Sequence, residues 1–319
     1  TAGLLVPINR SKLLSKEDLN EILFMVLSPE KREEFVRQKE LDFAFEMEGV
    51  RFRGNAYFQQ GVISIALRLI NDEIKTLEEL KLPPILEIFA KKKQGFFLVV
   101  GPTGHGKSTT LSSLVEMINR NRQEHIVTIE DPIEFLYTQQ QSIIDQREVG
   151  FDTLDFAKAL KSAFRQDIDV LLIGEMRGPE TMEAAITAAE TGHLVFSTLH
   201  TNNASQTIDR IIDAYPATQQ KQIRAQLSNA LTGIFSQRLI PSISGGRVPA
   251  YELLINSNAV ANLIREGRIH EIDSVIETSS GEGMISMNRS LAELVRTGDI
   301  SVEDAYKYSP RSANLERML

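Results

Sequence analysis

One segment, Gln94 to Thr110, restricts the fold of this chain more than any other. Phe96 to Val100 read as a buried strand, the turn from Gly101 through Pro102, Thr103, Gly104, His105 and Gly106 follows, and Lys107 opens a run with helical spacing at Leu111, Leu114, Val115 and Ile118. From Gly101 to Ser108 the residues satisfy G-x-x-x-x-G-K-[ST], the phosphate-cradling P-loop. The glycines let successive backbone N–H groups converge on phosphate oxygens, and the new helix points its positive end at the same charge. Lys107 supplies a mobile cation for the β- and γ-phosphates, and the Ser108 hydroxyl can ligate Mg²⁺. Pro102, Thr103 and Thr109 complete the expected nucleotide contacts. His105 occupies an x position where the backbone N–H matters most, so it is expected to be tolerated rather than catalytic.

A strand–turn–helix of this kind belongs to an α/β architecture, and the sequence around it agrees. Apolar strand candidates at 96–100, 126–129, 170–173 and 194–198 alternate with helical stretches, the pattern of a parallel sheet covered by helices. Gly178 and Pro179 open one of these helices and Gly192 stops it. Beyond Ala217 the chain reads as mostly helical, interrupted by a strand over 247–255 and followed by helices near 257–267, 287–298 and 302–308.

At 319 residues there is room for two domains. Residues 1–73 read as a small α+β module. Ser15 with Asp18 caps a first helix, and Ser28 before Pro29 starts a second. Leu41, Phe43, Phe45 and Met47 then alternate with polar residues, and Glu48-Gly49 makes a turn. In the next strand Val50 and Phe52 oppose Arg51 and Arg53. A third strand sets Ile63, Ile65, Leu67 and Leu69 on the core side and Arg68 opposite. One meander would put all three arginines on its non-core face, either solvated or offered to a phosphate bound elsewhere. Residues 74–81 read as a linker ending near Pro83-Pro84, and 82–319 as the P-loop domain. The chain opens on Thr1 rather than Met, so it is expected to start inside a longer or processed product.

Net charge is −8, which argues against a standing nucleic-acid surface, and no apolar run reaches the length of a membrane span. With no cysteine, disulfides and thiolate metal sites are excluded.

Hydrolysis needs more than a P-loop. One acidic segment is Ile129 to Glu134, where Pro132 turns the chain out of the sheet. The other is Val170 to Arg177, an apolar strand ending in Glu175, a Walker B arrangement that can hold the Mg²⁺ shell or polarise water. His193 and His200 bracket the strand at 194–198. His200 falls on the same sheet edge as Gly101, Glu134 and Glu175, where it could sense the γ-phosphate.

In order along the chain, Arg51–Ala56, Gly101–Thr110, Thr128–Phe135, Gln146–Val149, Gly174–Arg177, Ala188–His193, Thr198–His200 and Asn262–Glu266 resemble the hexameric secretion-type ATPases, above all the type IV pilus retraction motors (the PilT family). The resemblance implies a PAS-like N-terminal domain, a RecA-like P-loop ATPase domain with a helical C-terminal portion, and a homohexamer that powers pilus retraction and twitching motility. It implies ATP and Mg²⁺ on Lys107 and Ser108, Glu134 in an "Asp box", Glu175 as the Walker B acid, and His193 and His200 in a "His box". It also implies that Arg51, Arg53 and Arg68 reach a neighbour's nucleotide. Glu175 is favoured for metal and water, with Glu134 assisting. The implied location is cytoplasmic, peripheral at the inner membrane through a pilus platform protein, with a second retraction ATPase as a further partner and neither nucleic acid nor direct membrane insertion. The sequence departs from the family at Ala261, where an arginine is usual, and at His105, where a small residue is usual. Alternatives are an accessory retraction ATPase (PilU-like), a pilus-assembly or type II secretion ATPase, which the lack of cysteines disfavours, a RecA-like nucleic-acid motor, and a nucleotide-gated scaffold.

Overall fold

The computed structural model describes residues 13–70 and 73–319; residues 1–12 and 71–72 of the expected N-terminal module lie outside them. Contacts divide the chain into two units, Thr1–Glu73 with Glu134–Leu136, and Ile74–Ile133 with Tyr137–Leu319.

The first unit carries helices α1 (Lys16–Val26) and α2 (Pro29–Gln38) and strands β1 (Glu40–Met47), β2 (Val50–Gln59) and β3 (Val62–Leu69). Ser15 and Asp18 cap α1 reciprocally, each side chain accepting from the other's backbone N–H. The strands form an antiparallel sheet in the order β1-β2-β3. Leu23, Leu27, Phe35, Phe43 and Ala56 make its core. Glycine at 54 has a steric cause: a Cβ there would lie 2.2 Å from the Phe43 ring. Arg53 pairs across the sheet with Arg68, and Arg51 lies two residues along the same strand, so the three arginines share one face. Leu67 and Leu69, expected on the core side, are on that side in register but 50% and 53% exposed. They extend past the buried cluster, so alternation gives the face correctly and the depth incorrectly.

The second unit begins with residues 74–81, whose Leu77 is buried against the sheet. Its elements are α3 (Glu87–Ala90), β4 (Gly95–Val100), α4 (Lys107–Asn121), β5 (His125–Glu130), β6 (Ile143–Glu148), α5 (Phe156–Ala163), β7 (Val170–Ile173), α6 (Pro179–Glu190), β8 (Leu194–Leu199), α7 (Ala204–Ile212), α8 (Ala217–Ala230), β9 (Leu231–Pro241) and β10 (Arg247–Ile255). The C-terminal helices follow: α9 (Asn258–Glu266), α10 (Ile272–Thr278), α11 (Met287–Arg296), α12 (Val302–Tyr308) and α13 (Ser312–Glu316). Seven strands order as β10-β9-β4-β8-β7-β5-β6, parallel except for the β9–β10 hairpin. Two of them, β6 and β9, lie in stretches not marked as strands by the sequence.

Alternate residues of each central strand enter opposite cores. Phe96, Leu98 and Val100 join a cluster with α5 to α10, while Phe97 and Val99 join one with α3 and α4. A third cluster packs the far end of the β9–β10 hairpin on α11, α12 and α13. Burial on both faces explains the near-continuous apolar runs of the central strands. It also makes them a rigid platform whose carboxyl ends all open on one edge.

Candidate active site

That edge is where the chemistry gathers. Gly101, Gly104 and Gly106 have φ of 147°, 80° and 81°, conformations that suit glycine, and α4 starts immediately behind them. Gly106 is its N-cap, with no side-chain acceptor on the first-turn N–H groups, whereas Asp155, Asn203 and Ser257 cap α5, α7 and α9 with theirs. The first turn of α4, with Ser108 and Thr109, is therefore uncapped, as an anion-binding helix end must be.

The Lys107 ammonium is buried and donates to the carbonyl oxygens of Gly101 (2.8 Å) and Pro102 (3.1 Å). It also approaches His200 Nδ1 at 3.4 Å, and the Thr103 hydroxyl approaches the same nitrogen at 3.3 Å. On the other side of the ring, His200 Nε2 lies 3.1 Å from Glu175 Oε2. The consistent assignment has Nε2–H donating to the carboxylate and Nδ1 accepting from Lys107 and Thr103. Burial, then the nearby Lys107 and Arg177 charges, hold His200 below the usual histidine pKa, which keeps the ring neutral and the assignment intact at neutral pH. Glu175 is also bonded to Arg177, which reaches Asp131 at 3.3 Å. The Thr198 hydroxyl donates to Gly174 O at 2.6 Å and fixes the turn that presents Glu175.

The sheet register explains this convergence. Val100 pairs with Leu199 and Ile173 with Ser197, so Gly101, Glu175 and His200 each leave the sheet at nearly the same level. His193 does not join them. It precedes β8, its carbonyl accepts from Gly95 N–H, and its ring approaches Ala188 O at 3.0 Å, all at the amino edge of the sheet. Six residues of extended chain separate it from His200, roughly 20 Å. Glu134 opens the stretch 134–136 that groups with the first unit, as do Arg51, Arg53 and Arg68.

Several contributors escaped the sequence reading. Strand β9 lies behind the P-loop: Gln237 accepts from the Thr110 hydroxyl at 2.6 Å and donates to His105 O at 2.9 Å. A Cβ on Gly101 would lie 2.5 Å from Gln237 O, so the loop sits directly on the strand. His105, expected to be merely tolerated, accepts the Leu239 N–H through Nδ1 at 2.9 Å. Burial and the charges of Arg238, Arg247 and Lys107 hold it below the usual histidine pKa, which preserves that acceptor. Arg238 and Ser236 bond the Asn202 carbonyl at 3.1 and 2.8 Å, so within four consecutive residues of β9 Gln237 and Leu239 hold the P-loop while Ser236 and Arg238 hold the loop after His200. A glycine pair at 245–246 turning between two apolar runs is the signal that marks this hairpin.

Comparisons with known proteins converge on one group. The profile of the family described as "Type II/IV secretion system protein" matches residues 41–247. The "Twitching motility protein" of Neisseria gonorrhoeae is 46% identical over 307 residues, 96% of this chain and 81% of its own length. The "Type IV pilus ATPase PilU" of Pseudomonas aeruginosa is 41% identical over 319 residues, 99% of this chain and 83% of its own. Among solved structures, that of the pilus retraction motor PilT with bound ADP superposes with a TM-score of 0.91 at 45% identity, covering 97% of this chain and 88% of the other.

Proposed function

The chain belongs to the type II/IV secretion system protein family, and from that premise we propose that it is the ATPase of a type IV pilus retraction motor. The observation that carries the reading is the continuous link from the P-loop lysine through His200 to Glu175 at the carboxyl edge of the parallel sheet. Fold alone would license only nucleotide binding.

In this reading ATP lies along Gly101–Thr109, its phosphates taking the first-turn N–H groups of α4 and the Lys107 ammonium from its own loop carbonyls. No three His, Cys, Asp or Glu side chains gather as a metal site among the described residues. The oxygen donors of Ser108 and Glu175 suit Mg²⁺ that arrives with the triphosphate and keeps part of its water shell. Bound there, Mg²⁺ would neutralise charge developing on the phosphoryl oxygens. Glu175, oriented by His200, Arg177 and Thr198, holds and polarises the attacking water, and Glu134 assists. His200 reports phosphate occupancy to Glu175, because Lys107 and Glu175 engage opposite nitrogens of one ring. His193, at the other edge, is given no part in this centre.

The further assignments are a RecA-like second unit, a PAS-like first unit, and a homohexamer in which Arg51, Arg53 and Arg68 complete a neighbour's site. The 46% and 41% relatives favour a retraction motor that works alongside a second ATPase; an inner-membrane platform protein is the further partner assigned to it. No helix among the described residues is long and apolar enough to cross a membrane. Steady-state ATP hydrolysis with Mg²⁺, combined with complementation of a retraction-deficient host, tests the reading. Lys107→Ala is expected to abolish both; normal hydrolysis in that variant would overturn it.

A further inference from the structure

Glu252 is a buried acid outside the site described above. It lies on β10, only 8% exposed, and its Oε1 accepts the Ala204 N–H at 2.9 Å. Ala204 is the first residue of α7 and stands four residues after His200. The segment between them is pinned on every side. The Thr201 and Thr207 hydroxyls meet at 2.7 Å, Asn202 O accepts from Ser236 and Arg238, and Asn203 caps the helix through the Gln206 N–H at 2.8 Å. Of these ties, only the one to Ala204 is made by a carboxylate.

Glu252 also lines a cavity of about 160 Å³ with Asn203, Asp273, Glu277, Asn288 and Arg311, so protons can reach it. The charged groups facing it are Asp273 and Glu277 of α10, Arg238 of β9, and Arg311 before α13; α7 presents only the Ala204 amide and the Ser205 hydroxyl, the latter bonded to Asp273. Arg311 binds Asp273 at 3.1 Å, which leaves the Glu252 carboxylate with a helix N-terminus as its main stabilising partner.

We propose that Glu252 is a positioning residue for hydrolysis, holding the His200 loop in place through the Ala204 amide, with the charge in the cavity setting how firmly that loop is held. The proposal rests on the hydrolase reading of the Glu175–His200 centre. A carboxylate holds an amide N–H about twice as strongly as a neutral acid does, so the loop is firm when Glu252 is ionised and looser when it is protonated. Burial above all, opposed by the Ala204 N–H, aided by Asp273 and opposed by Arg238, leaves the Glu252 pKa raised to about 7. His200 and His105 titrate lower and report separately.

The test is the pH profile of kcat and of KM for ATP, using the full chain with Mg²⁺. The wild type is expected to lose about fivefold in kcat as pH falls through 7, with KM unchanged. Glu252→Gln should lack that limb and stay at the lower kcat throughout. Glu252→Asp retains the charge, so it should keep the limb at a reduced plateau, and it stands in if the glutamine variant folds poorly. A Glu252→Gln profile that retains the limb, or either variant superposing on the wild type, overturns the positioning role. Absence of hydrolysis in the wild type would instead overturn the function on which the proposal rests.

Discussion

His193 and His200 flank the same six-residue strand, yet they occupy different chemical worlds. At the carboxyl end of β8, His200 meets Lys107, Thr103 and Glu175 and is shifted below its usual pKa. At the amino end, His193 meets Ala188 O and the Thr191 hydroxyl near the Phe164 ring. Both are imidazoles beside a buried strand of one sheet. The difference lies in what a parallel sheet does to its two edges. Crossover helices begin at the carboxyl edge and end at the amino edge, so N-terminal dipoles and the loops carrying polar groups collect at the first.

The most severe test of that asymmetry is Glu175→Gln. It removes the charge proposed to hold water while leaving the shape, and kcat is expected to fall about 10²–10⁴-fold with nucleotide affinity retained. Single-turnover hydrolysis together with ADP and ATP titration measures both. A loss under threefold would mean that Glu175 does not activate the water.

The next effect is on stability. Burial lifts Glu252 from an ordinary 4.5 to about 7, so the native chain keeps its proton across that window while the unfolded chain has lost it. Stability is therefore full near pH 4.5 and falls as pH rises towards 7, by about 3 kcal/mol in all. Denaturant unfolding from pH 5 to pH 8 should show this decline, and Glu252→Gln should flatten it. An identical slope in the variant would place the titration elsewhere. Above pH 7 the acid that steadies the His200 loop is thus itself a destabilising charge.

The carboxyl edge was legible in the sequence because its signals are local. The Gly101–Ser108 spacing, the strand ending in Glu175 and the start of α6 at Pro179 are each contained in a few residues. What was hidden is non-local or lacks a period. Leu231–Pro241 follows α8 with no breaker, and its residues are buried on both faces, so it shows neither helical spacing nor strand alternation. With β9 unread, nothing in the sequence could show that Gln237 and Leu239 grip the P-loop or that His105 completes the grip. The 74–81 stretch looked polar, and most of it is exposed, yet its Leu77 is buried on the second unit. His193 and His200 were singled out together because they bracket one strand, and the resemblance put both in one box; their places before and after β8 set them on opposite edges.

The smallest effects give the sharpest version of the comparison. His200→Ala removes the ring that spans Lys107 and Glu175, and the loss of a charged hydrogen bond predicts about a tenfold fall in kcat. His193→Ala, by the same assay, should stay within about twofold, since it loses only contacts to Ala188, Thr191 and Phe164 at a half-exposed turn away from the centre. Comparable falls in both variants would contradict the two-edge account within one chain. Because His193 sits where β8 begins, a loss of its packing should instead appear as a small drop in unfolding midpoint with the ATPase profile unchanged. That separation of stability from rate is what distinguishes an edge that supports the sheet from an edge that uses it.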